Sequence, residues 1–334
     1  MHTKFLIALI STMLVACATA PTPAPQPTAP SATLAPRALT EVTVVMGYIP
    51  NVQFAPFYVA DQKGFFAEQG IKIKYSWGFE VDGVKLVGAG QADFAMLGGD
   101  QVIQAREKDI PLVYVANYYD AFPISIFSFE EKNIKTPKDL AGKKIGLPGF
   151  FGATYTGWRA LLYEANLKEA DVKVQDIGFA QIAALDQGLV DAAAGYANNE
   201  PVQLKLAGKK INVINVGEYS RLVGIGLVTN EKTAADKPQI VRAVVSALMR
   251  GVQEARDKPD DALEIVVKSL QEAGGQNLRA TRAVLIATAE FWKNPRLGFV
   301  DPAHWAASAK FMKDAGFITK EIDVTKAYTN KFVP

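Results

Sequence analysis

Few residues in this chain could do covalent or metal chemistry. Its 334 residues hold one cysteine, Cys17, and two histidines, His2 and His304. A single cysteine closes no intrachain disulfide, and with two imidazoles it cannot furnish a thiolate zinc site. Nucleophilic catalysis of the Ser-His-Asp or Cys-His kind would have to use His304 as its base. In DPAHW that histidine follows a proline near an expected helix start and reads as a surface or capping residue. No Gly-x-Ser-x-Gly elbow occurs. Carboxylates such as Asp120 and Glu200 could pair, but nothing in their spacing forces them together. No catalytic constellation and no metal cluster emerge, so no cofactor is expected and the chain does not read as an enzyme. What accumulates instead is a set of aromatic and amide residues at particular loop positions.

Those positions follow from the elements. EVTVVMGYIP alternates and reads as a strand, and APFYVADQKGFFAEQG follows as a helix ended by Gly70. IKIKYSW is a second strand, VDGVKLVGAGQ a short helix and ADFAMLGG an apolar strand. DQVIQAREK reads as a helix with Asp100 as its N-cap, followed by the buried strand PLVYVANYY. From about residue 137 the alternation repeats through KKIGLPG, FGATYTGWRALLYEANL, DVKVQDIG, AQIAALDQGL, VDAAAGYANNEP and KINVINV. Regular strand–helix alternation implies parallel sheets flanked by helices. Residues 237–316 are mostly helical and amphipathic, and are expected to pack on the first unit.

Ligands of open parallel sheets bind outside the carboxyl ends of the strands. The residues there are the expected ligand contacts: Tyr48, Asn51, Gln53, Phe54, Trp77, Asp100, Tyr118, Tyr119, Phe150, Phe151, Thr154, Tyr196, Asn199 and Glu200. Aromatic faces stack on planar ligands, and amide and carboxyl edges read the donors and acceptors of a heterocycle. A free inorganic anion would want more Arg or Lys. The turn GLPGFFGAT could present backbone N–H groups to an anion, but no Gly-Lys-Ser/Thr follows, and Phe150 and Phe151 favour a stacked apolar neighbour.

Composition excludes other classes. Lys and Arg number 36 against 34 Asp and Glu, and they are interspersed. Nucleic-acid binders concentrate basic residues on one face or in one run, so no nucleic-acid partner is expected. At the amino terminus, MHTKFLIALISTMLVA carries one early Lys and a 12-residue stretch, Phe5 to Ala16, broken only by Ser11 and Thr12. That is too short to span a bilayer and fits a secretory signal, residues 1–16. The ending Leu14-Val15-Ala16-Cys17 resembles the bacterial lipobox, which implies lipidation of Cys17 and several acyl chains for firm anchoring. Residues 17–40, with prolines at 21, 23, 25, 27, 30 and 36, read as an extended tether of about 3.1 Å per residue. The expected location is the outer face of the cell membrane.

The body resembles the solute-binding proteins of ATP-driven importers, in the group similar to thiamine-pyrimidine synthases and pyrimidine-precursor binders. The resemblance rests on GYIPNVQFAPFYVADQKGFFAEQGI, GQADFAM, DLAGKKIGLPG, GLVDAAAGYANNEPVQL and AYTNKF, and covers about residues 41–334. It implies a two-lobed α/β periplasmic-binding-protein fold of type II, each lobe a mostly parallel sheet flanked by helices, with the ligand in the cleft. Lobe one would take residues 41–125 plus 225–334, and lobe two 126–224, with hinges near Ile124–Phe129 and Leu222–Val228. Closure would present the loaded clamp to an ABC permease. Members that take pyrimidine precursors often carry His where this chain has Phe54, and synthase members need an iron-binding Cys motif and a reactive His that are missing here. An aromatic in place of that polar reader implies a larger, flatter ligand. Riboflavin is the expected ligand, with a hydroxymethyl- or formylamino-pyrimidine as the alternative and a sulfonate-type solute third.

Overall fold

The computed structural model describes residues 38–270 and 277–334. The signal segment, Cys17 and most of the proline-rich run lie outside the described residues. Ten strands form two five-stranded sheets. The strands are β1 (Thr40–Val45), β2 (Ile71–Ser76), β3 (Phe94–Gly98), β4 (Leu112–Asn117), β5 (Ile124–Phe129), β6 (Lys144–Leu147), β7 (Lys173–Asp176), β8 (Ala192–Tyr196), β9 (Ile211–Asn215) and β10 (Ile225–Asn230).

The first sheet runs β2-β1-β3-β10-β4 and the second β7-β6-β8-β5-β9. Their hydrophobic patterns differ by position, as sheet physics requires. Strand β2 lies at an edge and alternates, with Ile71 and Ile73 inward and Lys72 and Lys74 outward. Central β3, FAMLG, is buried at every residue. In each sheet four strands share one direction and the fifth opposes them: β10 is antiparallel to β3 and β4, and β5 to β8 and β9. These two are the strands by which the chain enters the second sheet and returns from it. The mostly parallel sheets expected from the sequence are thus observed, with β5 and β10 as the exceptions. A buried apolar strand carries no sign of its direction.

Around each sheet the helices form a lobe. Helix Pro238–Asp257 packs its buried Val241, Val244, Val245, Leu248 and Val252 toward helix Ala55–Gln62 of the first lobe. The spacing of those residues is that of one helical face. Each such side chain contributes about 1.5–3 kcal/mol when fully buried. The C-terminal segment closes on the same sheet: Tyr114 N donates to Ala327 O, and Thr329 N donates to Tyr114 O, both at 2.9 Å. The helix expected over residues 55–70 is two pieces, Ala55–Gln62 and Phe65–Glu68, separated at Gly64, which takes a left-handed conformation. Among the described residues no helix is long and apolar enough to cross a membrane.

Asp100 does not cap its helix. Gly98 holds the N-cap position and Asp100 lies inside the first turn. Its carboxylate accepts from Thr156 Oγ1 of the other lobe at 2.6 Å, and from Gln101 Nε2 at 2.9 Å. A long-range partner outcompetes the local cap.

Candidate functional site

The carboxyl ends of the parallel strands from both sheets face one another across a cleft. After β1 come Gly47 and Tyr48, and after β2 come Phe79 and Glu80. After β6 comes the turn from Pro148 to Gly152, after β7 comes Phe179, and Tyr196 ends β8. These residues line a cavity, with Ala153, Thr154, Gln181 and Glu200 completing its wall. A second cavity shares Gly47, Tyr48, Glu80 and Tyr196 with it and extends to Gln53, Phe54, Tyr118 and Tyr119. With the lobes together both are tight: about 40 Å³ of the first and about 20 Å³ of the second admit a water molecule.

Local backbone geometry builds the walls. Gly47 sits at φ +71°, and a Cβ there would lie 2.9 Å from Met96 O and 3.1 Å from Glu80 Cγ. Glycine is therefore required where β1 turns into the cleft. Gly152 sits at φ +74° and opens the helix Gly152–Ala165. That turn aims Ala153 N across the cleft, where it donates to Glu80 Oε2 at 3.1 Å.

The aromatic wall spans both lobes. Tyr48 meets Phe179 edge-on with centroids 4.7 Å apart. Phe79 lies 5.0 Å from Phe179 at 30° and 5.2 Å from Phe151 at 90°. Offset and edge-to-face pairs of this kind are the favoured arrangements.

The polar wall is carboxylic. Glu80, 8% exposed, accepts from Ala153 N and from Tyr196 Oη at 3.3 Å. Burial, and then the neighbouring Asp100, push its carboxyl up to about 8, against the lowering effect of those two donors. Glu200, 5% exposed, accepts from Tyr196 N at 3.0 Å, Asn199 Nδ2 at 3.1 Å and Tyr48 Oη at 3.5 Å. Burial raises it to about 7. Asp100 is raised as well, again by burial first, with Thr156 and Gln101 opposing. No Lys, Arg or His lines either cavity.

Further bonds cross between the lobes behind the aromatic wall. Gln53 Nε2 donates to Asn198 Oδ1 at 3.1 Å, and Asn198 Nδ2 donates to Thr288 Oγ1 at 2.8 Å. Tyr118 Oη donates to Gln53 O at 2.8 Å and holds that residue in place.

Nine of the residues expected from strand ends line these cavities: Tyr48, Phe151, Thr154, Tyr196 and Glu200 the larger, and Gln53, Phe54, Tyr118 and Tyr119 the smaller, with Tyr48 and Tyr196 in both. Five do not. Asn51 caps the short turn Val52–Phe54, accepting from Gln53 N at 3.0 Å. Trp77 packs on Tyr75 and Phe54 instead. Phe150 is 54% exposed and meets Tyr155 edge-on, whereas Phe151, itself 38% exposed, meets Phe79. Asn199 supports Glu200, and Asp100 lies buried behind the wall. Glu80, Phe79, Phe179, Gln181 and Asn198 were not among the expected contacts, although the strand-end rule reaches Phe79, Glu80, Phe179 and Asn198. Asp120 and Glu200 stay apart: Asp120 lies with His304, Asn117 and Asp301 in a different cavity. Among the described residues no group of three His, Cys, Asp or Glu could hold a metal ion.

Comparison with known proteins places the chain. The family described as NMT1/THI5 like matches residues 51–262. The riboflavin-binding protein RibY of Chloroflexus aurantiacus is 38% identical over 337 residues, covering 98% of this chain and 96% of that protein. A formylaminopyrimidine-binding protein of Halalkalibacterium halodurans is 29% identical over 71% of this chain and 72% of its own length. Among solved structures, the alkanesulfonate-binding protein SsuA from Xanthomonas axonopodis pv. citri, bound to MOPS, aligns with a TM-score of 0.69 at 17% identity, over 86% of this chain and 98% of that one. That likeness bears on the fold, which is the two-lobed α/β fold of periplasmic binding proteins.

Proposed function

Because the chain belongs to the NMT1/THI5-like family, we propose that it is the solute receptor of an ABC importer and that its ligand is riboflavin. The observation that carries this reading is the cleft wall. Tyr48, Phe79, Phe151 and Phe179 offer ring faces and edges from both lobes, while Glu80, Glu200 and Gln181 offer polar edges to the same cavity. A tricyclic heterocycle with a polyhydroxylated chain needs both: stacking surface for its rings, and acceptors for ring N–H and chain hydroxyls. The extent and identity of the match to RibY support the same choice. The formylaminopyrimidine binder keeps a pyrimidine precursor as the second reading, since carboxyl acceptors also suit an aminopyrimidine.

Lobe one takes residues 41–125 and 225–334 and lobe two 126–224, and they move about the two crossings. Each interlobe hydrogen bond, such as Gln53 to Asn198, forms only when the lobes meet. Closure thereby buries the ligand and offers one closed shape to a permease. The chain acts as a binding protein and not as an enzyme. Cys17, through the motif that precedes it, anchors the receptor outside the membrane, and Cys17→Ala abolishes lipid labelling and membrane retention.

A competition panel with the full chain separates the two ligand readings. Riboflavin is expected to bind at submicromolar concentration and to survive an excess of hydroxymethyl- or formylamino-pyrimidine. A pyrimidine that binds while riboflavin does not replaces the flavin reading with the second one.

A further inference from the structure

We propose that the cleft admits its ligand only as an uncharged or cationic species and excludes anions, phosphate esters and sulfonates included. This inference rests on the cleft being the ligand site, and it concerns charge and not ring identity.

Three observations converge. Glu80, Glu200 and Asp100 are each more than nine-tenths buried at or behind the wall, and neither cavity is lined by a cationic side chain. Asp100 Oδ1 is buried without any hydrogen-bond partner among the described residues. Helix Gly152–Ala165, whose amino terminus opens into the cleft, already directs a backbone N–H at an acid, the carboxyl of Glu80 on the opposite lobe. Such an amino terminus is an anion site by construction, and here the protein occupies it with its own acid. Arg159 on the same helix is engaged elsewhere, with Glu169 and the Ala315 carbonyl.

A phosphate monoester adds about −1.5 to −2 charges at neutral pH. Enclosed beside Glu80, Glu200 and Asp100, that charge finds no compensating cation in the lining, and whichever of the acids is ionised repels it. A neutral flavin or pyrimidine brings N–H and O–H donors to the same acids and meets attraction. A hydrolysis of phosphomonoesters outside the cell must then precede uptake of any nucleotide form.

The test measures two pairs and one probe by calorimetry with the full chain at pH 8. The pairs are riboflavin with flavin mononucleotide, and hydroxymethylpyrimidine with its phosphate; the probe is MOPS. In whichever pair binds, the uncharged member should bind at least tenfold more tightly, and MOPS should give no heat of binding. Glu80→Gln should narrow the gap at least threefold, and Glu200→Gln serves as the second variant if the first does not fold. A phosphorylated member that binds as tightly as its parent, or saturable MOPS binding, overturns the inference. Loss of riboflavin binding with retention of the pyrimidine pair sinks the flavin reading alone, and the charge rule is then decided on that pair.

Discussion

Glu80 on the first lobe and Ala153 on the second are joined across the cleft by a hydrogen bond of 3.1 Å, from a backbone N–H in the first turn of a helix to a buried carboxyl. The bond exists only with the lobes together. It places an acid, raised by burial, at the centre of the closed clamp.

Stability should therefore depend on pH in an unusual direction. Glu80 and Glu200 bind protons more tightly in the closed fold than when solvated, so the folded state holds more protons between about 4.5 and about 8. Stability then falls as pH rises through that window. The groups facing Glu80 are Asp100, Tyr196 and the Ala153 amide, and those facing Glu200 are Tyr48, Tyr196 and Asn199; none is a cation that would reverse the sign. The melting temperature of the ligand-free protein should drop from pH 5 to pH 8, and Glu80→Gln should flatten the slope. A melting temperature that climbs over this range contradicts the assignment.

The adjacent phenylalanines should behave differently. Phe151→Ala or Phe179→Ala removes a ring from the cavity wall and should weaken ligand binding by ~1–3 kcal/mol, roughly 5- to 150-fold. Phe150→Ala, at a side chain 54% exposed, should change affinity by less than about twofold. Titration of the three variants checks this, and equal losses at Phe150 and Phe151 would remove the basis for the wall.

Gly47→Ala should destabilise the fold by about 1–3 kcal/mol, because alanine at positive φ is strained and its methyl would press on Met96 O and Glu80. Urea unfolding measures it. A midpoint unchanged from the parent would show that the turn relaxes freely.

Thr156→Val should cost about 1–3 kcal/mol, since Asp100 is fully buried and would lose its 2.6 Å donor from the opposite lobe. The same variant should raise the solution radius of gyration by loosening closure. If neither stability nor radius moves, the Thr156–Asp100 contact does not hold the lobes.

Much of the architecture was legible because period-2 and period-3.6 patterns mark buried faces directly, as in IKIKYS and the helix over 238–257. Which strand runs against the others was not, because β5 and β10 are buried almost throughout and their pairing is decided at long range. The strand-end rule reached Tyr48, Tyr196 and Glu200 for the same reason it reached Trp77 and Phe150: it locates a loop, not the side a residue faces. Phe150 and Phe151 have identical chemistry, and only Phe151 lines the cavity. Glu80 stands just before VDGVKLVGAGQ with nothing local to mark it, and its partners Ala153 and Tyr196 come from the second lobe. Asp100 misled in the reverse sense, reading as a cap while serving a partner 56 residues away.

The most direct test of the central claim is riboflavin fluorescence titrated with the full chain and with Phe179→Ala. A flavin held against the aromatic wall should lose most of its emission on binding, saturating at one equivalent, with the curve shifted to higher protein concentration in the variant. Emission that stays constant through a stoichiometric excess of protein, or quenching identical in the variant, would contradict a flavin stacked in this cleft.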